Sequence, residues 1–252
     1  MCGIAGEINL KHGVTFNDYH NDMLKSLGRR GPDDHGVYKT DNAVLLHSRL
    51  AVIDPENGKQ PMTALFDNNE YTICYNGELY NTDDLRLELI RLGEQFETHT
   101  DTEVVLKSYI RFGAEAVKNF NGIFAFVIYD RKEKTLFAAR DKMGVKPFFY
   151  SERNGGLIFG SEIKTRLCHP EIKPNIDLNG IGELLFIGPG RTPGQAVFKD
   201  VFELKAGHLA VYNKDGLKTE SYFELKDRQN NKGFRTKRRT YIFSWKRNIF
   251  PL

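Results

Sequence analysis

Cysteine is scarce in this 252-residue chain, and the little there is excludes two classes of protein. Cys2, Cys74 and Cys168 are odd in number and far apart, so they frame no disulfide scaffold. No Cys-x-x-Cys or Cys/His ligand pair occurs, and no histidine falls in a His-x-x-x-His or His-Glu-x-x-His pattern, so a metal site is not expected. Long apolar runs are missing too. None reaches the roughly 18 residues that a membrane-spanning helix needs. The N-terminus lacks a basic stretch followed by an apolar one, so a secretory signal is not expected, and the free thiols suit a reducing cytoplasm. Glycines 3, 6 and 31 do not compose a phosphate-binding loop. No repeat with a period of about 20–50 residues is visible.

What is present is a globular composition, 40% apolar and 12% aromatic, enough for one large core or two small ones. The net charge of +3 is unevenly spread. Residues 226–252 carry nine Lys/Arg against Asp227 alone, while residues 1–225 carry 27 Lys/Arg against 32 acids. A mildly acidic body with a strongly basic end reads as a domain at 1–225 followed by an appended, poorly ordered tail. The tail has aromatics but no recognisable nucleic-acid-binding fold, so nucleic acid is not the expected partner.

Hydrophobic periodicity predicts a buried strand at 2–8 and a helix at 17–27 with Phe16, Met23, Leu24 and Leu27 on one face. Gly, Pro and Asp make 28–36 a loop. Strands are predicted at 36–40 and 43–47, then a loop at 54–62 and a strand at 71–75 that Asn76-Gly77 breaks. Helices follow at 82–92, with Leu85, Leu89 and Leu92 aligned, and from Thr100 or Asp101 to 112, with Val105, Tyr109 and Phe112 inward. The segment 123–130 is too continuously apolar for a half-exposed strand and predicts one covered on both faces. Strands near 134–140, 147–151 and 156–160, short helices near 161–167 and 178–186, and strands at 208–213 and 218–223 complete the reading. Antiparallel strands with clustered helices predict a layered α+β fold.

Cys2 has only an initiator Met before it. Removal of Met1 would leave a thiol and a free α-amine on one residue. A free α-amine titrates near about 7.7–8.0, so it can take a proton at neutral pH, directly or through one water. Thiolate is the nucleophile, and such a residue would be nucleophile and base in one. Three further segments concentrate polar groups. His47-Ser48-Arg49 ends an apolar strand and leads to Asp54. Tyr75-Asn76-Gly77-Glu78 lies at a strand end, and Thr100-Asp101-Thr102-Glu103 at a helix start. Taken singly, Arg49 could be a surface ion-pair partner, Asn76-Gly77 a hairpin turn and Asp101 a helix cap. Cys74 and Cys168 read as structural.

Taken in order, Met-Cys-Gly-Ile-Ala-Gly at 1–6, Arg-Arg-Gly-Pro-Asp-Asp at 29–34, Ser-Arg-Leu-Ala-Val-Ile-Asp at 48–54 and Tyr-Asn-Gly-Glu-Leu-Tyr-Asn at 75–81 carry a resemblance. Asp-Thr-Glu at 101–103, Gly-Ile-Phe-Ala-Phe at 122–126, Ala-Arg-Asp-Lys-Met-Gly-Val-Lys-Pro-Phe-Phe-Tyr at 139–150 and Gly-Ser-Glu-Ile-Lys at 160–164 extend it. Over residues 1 to about 225 the chain resembles the glutaminase domain of glutamine-dependent asparagine synthetase, a class II (N-terminal nucleophile) glutamine amidotransferase. The resemblance implies a four-layer αββα sandwich of mostly antiparallel sheets. It implies L-glutamine as substrate, with Cys2 attacking the carboxamide and Asn76 and Gly77 forming the oxyanion hole. Arg49 would hold the substrate carboxylate, Asp101 the α-ammonium and Glu78 the carboxamide end, with Val52 and Ile53 lining the pocket.

An asparagine synthetase continues into an ATP-dependent domain with a Ser-Gly-Gly-Leu-Asp-Ser loop, which this sequence does not contain. No cofactor is therefore expected for this chain; ATP and magnesium would belong to the absent synthetase domain, a missing or separate partner. The charge reversal after Leu225 suggests that 226–252 is an out-of-frame product. A homodimer is a further possible partner. Two alternatives stay open: a related domain serving another acceptor, and a catalytically idle remnant acting as a binding module. Hexosamine-phosphate and phosphoribosyl amidotransferases usually carry Gly-His-Thr-Arg-Trp where this chain has His-Ser-Arg-Leu-Ala-Val-Ile-Asp.

Overall fold

In a computed structural model that describes residues 1–186 and 192–225, two six-stranded antiparallel sheets are stacked face to face. The expectation for the tail at 226–252 lies outside the described residues. The strands are β1 (Gly3–Asn9), β2 (Asp34–Lys39), β3 (Ala43–Arg49), β4 (Met62–Phe66), β5 (Asn69–Leu79) and β6 (Gly122–Asp130). They continue with β7 (Thr135–Arg140), β8 (Phe149–Arg153), β9 (Gly156–Gly160), β10 (Phe202–Glu203), β11 (His208–Asn213) and β12 (Gly216–Ser221). The first sheet has the order β10-β8-β9-β1-β3-β2 and the second β12-β11-β7-β6-β5-β4.

Alternation along the strands sorts side chains into three apolar layers. Ile4, Ile8, Leu45 and Phe159 of the first sheet meet Cys74, Ala125, Val127 and Ala138 of the second, forming the layer between the sheets. The opposite face of the second sheet, with Tyr75, Phe124, Phe126 and Phe137, is covered by helices α2 (Thr82–Arg91) and α3 (Asp101–Phe112). The outer face of the first sheet, with Ala5, Val44 and Leu46, is covered by α1 (Asp18–Ser26) through Met23 and Leu27 and by α4 (Ile163–Leu167) through Leu167. A fifth helix, α5 (Leu178–Phe186), follows. This is an αββα sandwich. Strand β6 lies inside it with both faces covered, as its unbroken apolar run requires.

Four sequence expectations need correction. Asn76-Gly77 does not break a strand or turn a hairpin: β5 runs through both, in continuous register with β6 from Tyr71↔Asp130 to Leu79↔Gly122. Strand β4 was not foreseen, because it is an edge strand whose Leu65 and Phe66 stay exposed and so dilute the alternation. Strand β2 begins at Asp34, inside the expected loop. On α3, Val105 is buried and Tyr109 stacks on Phe137 at 4.7 Å, but Phe112 at the last turn is exposed.

Candidate active site

Cys2 stands at the start of β1, beside the end of the antiparallel β3 that carries Arg49. Its Sγ accepts a hydrogen bond from Leu50 N at 3.4 Å and lies 3.6 Å from Leu50 O. Two of the segments noted in the sequence hold it there. Ser161 Oγ accepts from Ile4 N (3.0 Å), and Ser161 N donates to Ile4 O (2.8 Å), fixing the strand immediately after Cys2. Glu162 pairs with Arg30 at 3.3 Å, and Arg30 Nε donates to the Cys2 carbonyl at 2.9 Å. Neither the sequence pattern nor the resemblance had assigned Arg30 a role.

The Arg-Gly-Pro-Asp-Asp loop serves the other side of the same corner. Ser48 Oγ donates to Gly31 O (2.7 Å), Asp33 N donates to Arg49 O (3.0 Å), and Asp33 Oδ2 accepts from Ala51 N (2.7 Å). Arg49 itself is buried, and it pairs with no carboxylate among the described residues. Its Nη1 donates to Pro55 O (2.7 Å) and its Nη2 to Ile53 O (3.1 Å) and Asp54 O (2.7 Å). Carbonyl dipoles thus orient the guanidinium without neutralising it, which leaves its charge for a ligand. Gly58 makes room: a Cβ there would fall 2.3 Å from Arg49 Nη2.

Strand β5 supplies the donors. Strand β4 pairs with β5 only as far as Met62↔Ile73, so beyond that point this edge of β5 has no strand neighbour. The Gln60 side chain takes the place of the next ladder rung. Its Oε1 accepts from Tyr75 N (2.7 Å) and its Nε2 donates to Tyr75 O (3.2 Å). His47 Nε2 donates to the same carbonyl at 3.0 Å. Burial pushes the His47 imidazole down to about 4, so it sits there neutral. Further along, Leu79 N donates to Asp101 Oδ2 at 3.0 Å. In an antiparallel strand alternate residues turn their N–H groups to the same edge. Gly77, between Tyr75 and Leu79, therefore points its N–H to the edge that β4 has vacated. Asn76 is almost completely buried, and its side-chain Nδ2 has no hydrogen-bond partner. Two donors, one from backbone and one from an amide, are thus held without acceptors next to each other.

Asp101 opens α3 but is not its cap. Thr100 accepts from Glu103 N (3.3 Å) and fills that role, which frees the Asp101 carboxylate. That carboxylate accepts from Tyr75 Oη (3.0 Å) and Leu79 N. Burial raises the Asp101 carboxyl above its ordinary range, with those hydrogen bonds working against the rise. No cation among the described residues pairs with it.

All eight residues singled out from the sequence come together on one cavity of about 180 Å³: Cys2, Arg49, Val52, Ile53, Asn76, Gly77, Glu78 and Asp101. Val52 and Ile53 border it from an exposed loop, and Glu78 from the exposed rim. The sequence reading missed Gln60, Thr102 and Lys146, which also line the cavity. Gln60 and Thr102 are joined by a 3.3 Å hydrogen bond. Thr102 lies in the Asp-Thr-Glu stretch and Lys146 in the Gly-Val-Lys-Pro stretch already noted, but neither had an assigned role; nothing in the sequence pattern marks Gln60.

Residues 1–223 match the family described as a glutamine amidotransferase domain. The chain belongs to that family. The amidotransferase domain is 45% identical over 235 residues to asparagine synthetase [glutamine-hydrolyzing] 3 of Bacillus subtilis, covering 93% of this chain and 38% of the relative. It is 36% identical to the putative asparagine synthetase [glutamine-hydrolyzing] 2 of Methanocaldococcus jannaschii, covering 90% and 47% respectively. The chain thus spans less than half the length of these relatives. Among solved structures, the allosteric regulatory enzyme of purine biosynthesis superposes with a TM-score of 0.66 at 20% identity, covering 90% of this chain and 50% of the other. Glutamine phosphoribosylpyrophosphate amidotransferase from B. subtilis superposes with a TM-score of 0.64 at 21% identity, again covering 90% and 50%. These two likenesses show that the chain shares its fold with both structures. Among the described residues no helix is long and apolar enough to cross a membrane.

Proposed function

We propose that this domain hydrolyses L-glutamine to glutamate and ammonia, with Cys2 as an N-terminal nucleophile exposed by removal of Met1. The observation that carries the reading is the set of unmatched groups on one cavity: a thiol, two acceptor-less donors, an unpaired buried guanidinium and an unpaired buried carboxylate. Free glutamine complements that set. Its carboxylate suits the positive charge of Arg49, and its ammonium suits Asp101. Its carboxamide then lies toward Cys2, Asn76 and Gly77.

The Cys2 sulfur bonds to the carboxamide carbon while the thiol proton passes to the Cys2 α-amine. The carbonyl oxygen becomes an oxyanion that accepts hydrogen bonds from Asn76 Nδ2 and Gly77 N. Collapse of this intermediate breaks the C–N bond, and the α-amine returns its proton to the departing nitrogen, which leaves as ammonia. Water then attacks the resulting thioester, the α-amine takes its proton, and glutamate leaves as the sulfur is reprotonated. Atoms balance as glutamine plus water giving glutamate plus ammonia. The names of the relatives support asparagine synthesis as the use of that ammonia. The test is glutamate and ammonia release by the purified chain: equimolar products that vanish in Cys2→Ala support the proposal, and turnover surviving in Cys2→Ala refutes it.

A further inference from the structure

The proposed glutamine site leaves one cation unused. Lys146 lines the cavity with Cys2, Asn76 and Gly77, is 7% exposed, and its ammonium forms no hydrogen bond or ion pair with any described residue. Its stem is buried, but the ammonium is not one of the fully enclosed unpartnered side-chain atoms, so it reaches the solvent-filled cavity with its charge free to meet a group there.

The loop that carries it is built with unusual rigidity. The fully buried Asp141 carboxylate gathers amide N–H groups from Met143, Val145 and Lys146, each at 3.0 Å. It also accepts from Phe124 N at 3.2 Å, and Phe124 is the register partner of Gly77. The loop is therefore tied to β6, which pairs with β5 on the side opposite the edge that β4 has vacated. From the other side, Arg140 Nε donates to Lys146 O (2.7 Å) and Nη2 to Gly144 O (2.7 Å), while Glu203 pairs with the guanidinium at 2.9 Å. Gly144 has φ +65°, and a Cβ there would lie 3.2 Å from the guanidinium carbon, so glycine lets the clamp close. Two buried charged side chains thus fix one backbone turn whose last residue presents a lysine to the cavity.

The charges on that cavity then sort themselves. Arg49 and Asp101 match the two charged ends of glutamine, leaving Lys146 and Glu78, which form no ion pair with each other. Glu78 lies at the exposed rim, so within the pocket the negative charge still unmatched is the one that appears only during reaction, on the sulfur and then on the carboxamide oxygen. We propose that Lys146 is a further catalytic residue, supplying positive charge to the reacting end of the pocket alongside the Asn76 and Gly77 donors. This rests on the glutaminase reading. The interaction is made in the transition state rather than with bound glutamine, so its loss lowers kcat and leaves KM nearly unchanged.

The test uses the full chain and the variants Lys146→Met, Lys146→Gln and Lys146→Arg. In glutamine hydrolysis, Met and Gln should reduce kcat on the order of tenfold to a hundredfold, with Arg recovering part of it. In parallel, Cys2 is alkylated with iodoacetate and with iodoacetamide, read by mass on the Cys2 peptide. A nearby cation favours the anionic reagent, so the iodoacetate-to-iodoacetamide rate ratio should drop several-fold in Met and Gln and stay high in Arg. A folded neutral variant with the wild-type kcat, or with an unchanged alkylation ratio, overturns the proposal. The alkylation ratio does not depend on turnover, so it decides the charge at Lys146 even if glutamine is not hydrolysed. Hydrolysis persisting in Cys2→Ala would instead sink the glutaminase reading.

Discussion

Replacing Asn76 by leucine should make the domain more stable and nearly inactive. The Asn76 amide is enclosed, and its Nδ2 has no acceptor. A buried donor left unsatisfied is worth roughly 1–3 kcal/mol of destabilisation. Leucine has nearly the same shape, so it removes the unsatisfied group and leaves little cavity. Part of the gain is offset because the amide also borders the solvent-filled pocket, leaving about 1 kcal/mol net. For a domain of this size that is a rise of about 2–4 °C in Tm. On the proposed mechanism the same substitution deletes one of the two oxyanion donors, a loss of about 2.7–4 kcal/mol of transition-state stabilisation, or a factor of about 10²–10³ in kcat. Thermal unfolding followed by circular dichroism and glutamate release at saturating glutamine give the two numbers. A variant that keeps kcat within about threefold of wild type, or whose Tm falls by several degrees, refutes the reasoning.

Two other perturbations follow from the same geometry. Gly58→Ala places a methyl group 2.3 Å from Arg49 Nη2 and 2.9 Å from Asp54 O, so the guanidinium must move. KM for glutamine should rise on the order of tenfold or more with a smaller change in kcat, because the carboxylate is held in ground and transition states alike; an unchanged KM would show that Arg49 does not hold it. The second concerns pH. His47 titrates at about 4 in the fold against 6.5 unfolded, so between those values the unfolded chain binds the extra proton. Its contribution is complete above pH 6.5 and is lost as pH falls toward 4, amounting to about 3 kcal/mol. Glu7 acts in a lower window. Burial alone would raise it, but hydrogen bonds from His169 and Tyr19, with the His20 imidazole 3.3 Å away, hold it at about 2, so its contribution is lost between pH 4.5 and 2. Urea unfolding of His47→Gln should lose the upper slope and keep the lower; an unchanged upper slope would remove His47 as its source.

The layers of the fold were legible because burial leaves a direct trace in sequence. The apolar run at 123–130 pointed to a strand covered on both faces, and of the three aligned leucines, Leu85 and Leu89 pack against the second sheet while Leu92 is exposed. What misled was local chemistry overruled by neighbours. Asn76-Gly77 is a strong turn signal, yet the register with β6 carries the strand straight through it, and the end of β4 is what exposes the Gly77 N–H. Leu65 and Phe66 obscured β4 because an edge strand leaves apolar side chains in water. On the cavity, Cys2, Arg49 and Asp101 were singled out because each sits in a segment whose order carries the resemblance. Gln60 and His47 were not assigned roles, since both act by holding Tyr75, a contact made only once distant segments are packed together. The two loop motifs at 29–34 and 160–164 were visible as letters, but their work, seating Cys2 and the Arg49 strand end, appears only as hydrogen bonds between segments far apart in sequence.

The central claim is that the Cys2 sulfur of the processed chain carries the acyl group of glutamine. The most direct test is an intact mass of the purified chain, mixed with glutamine and quenched in acid within the first turnover. The account predicts a chain lacking Met1 and a transient gain of one γ-glutamyl group that maps to Cys2 and decays as glutamate appears. Hydrolysis by a chain that retains Met1, or an acyl group mapping to another residue, would contradict it.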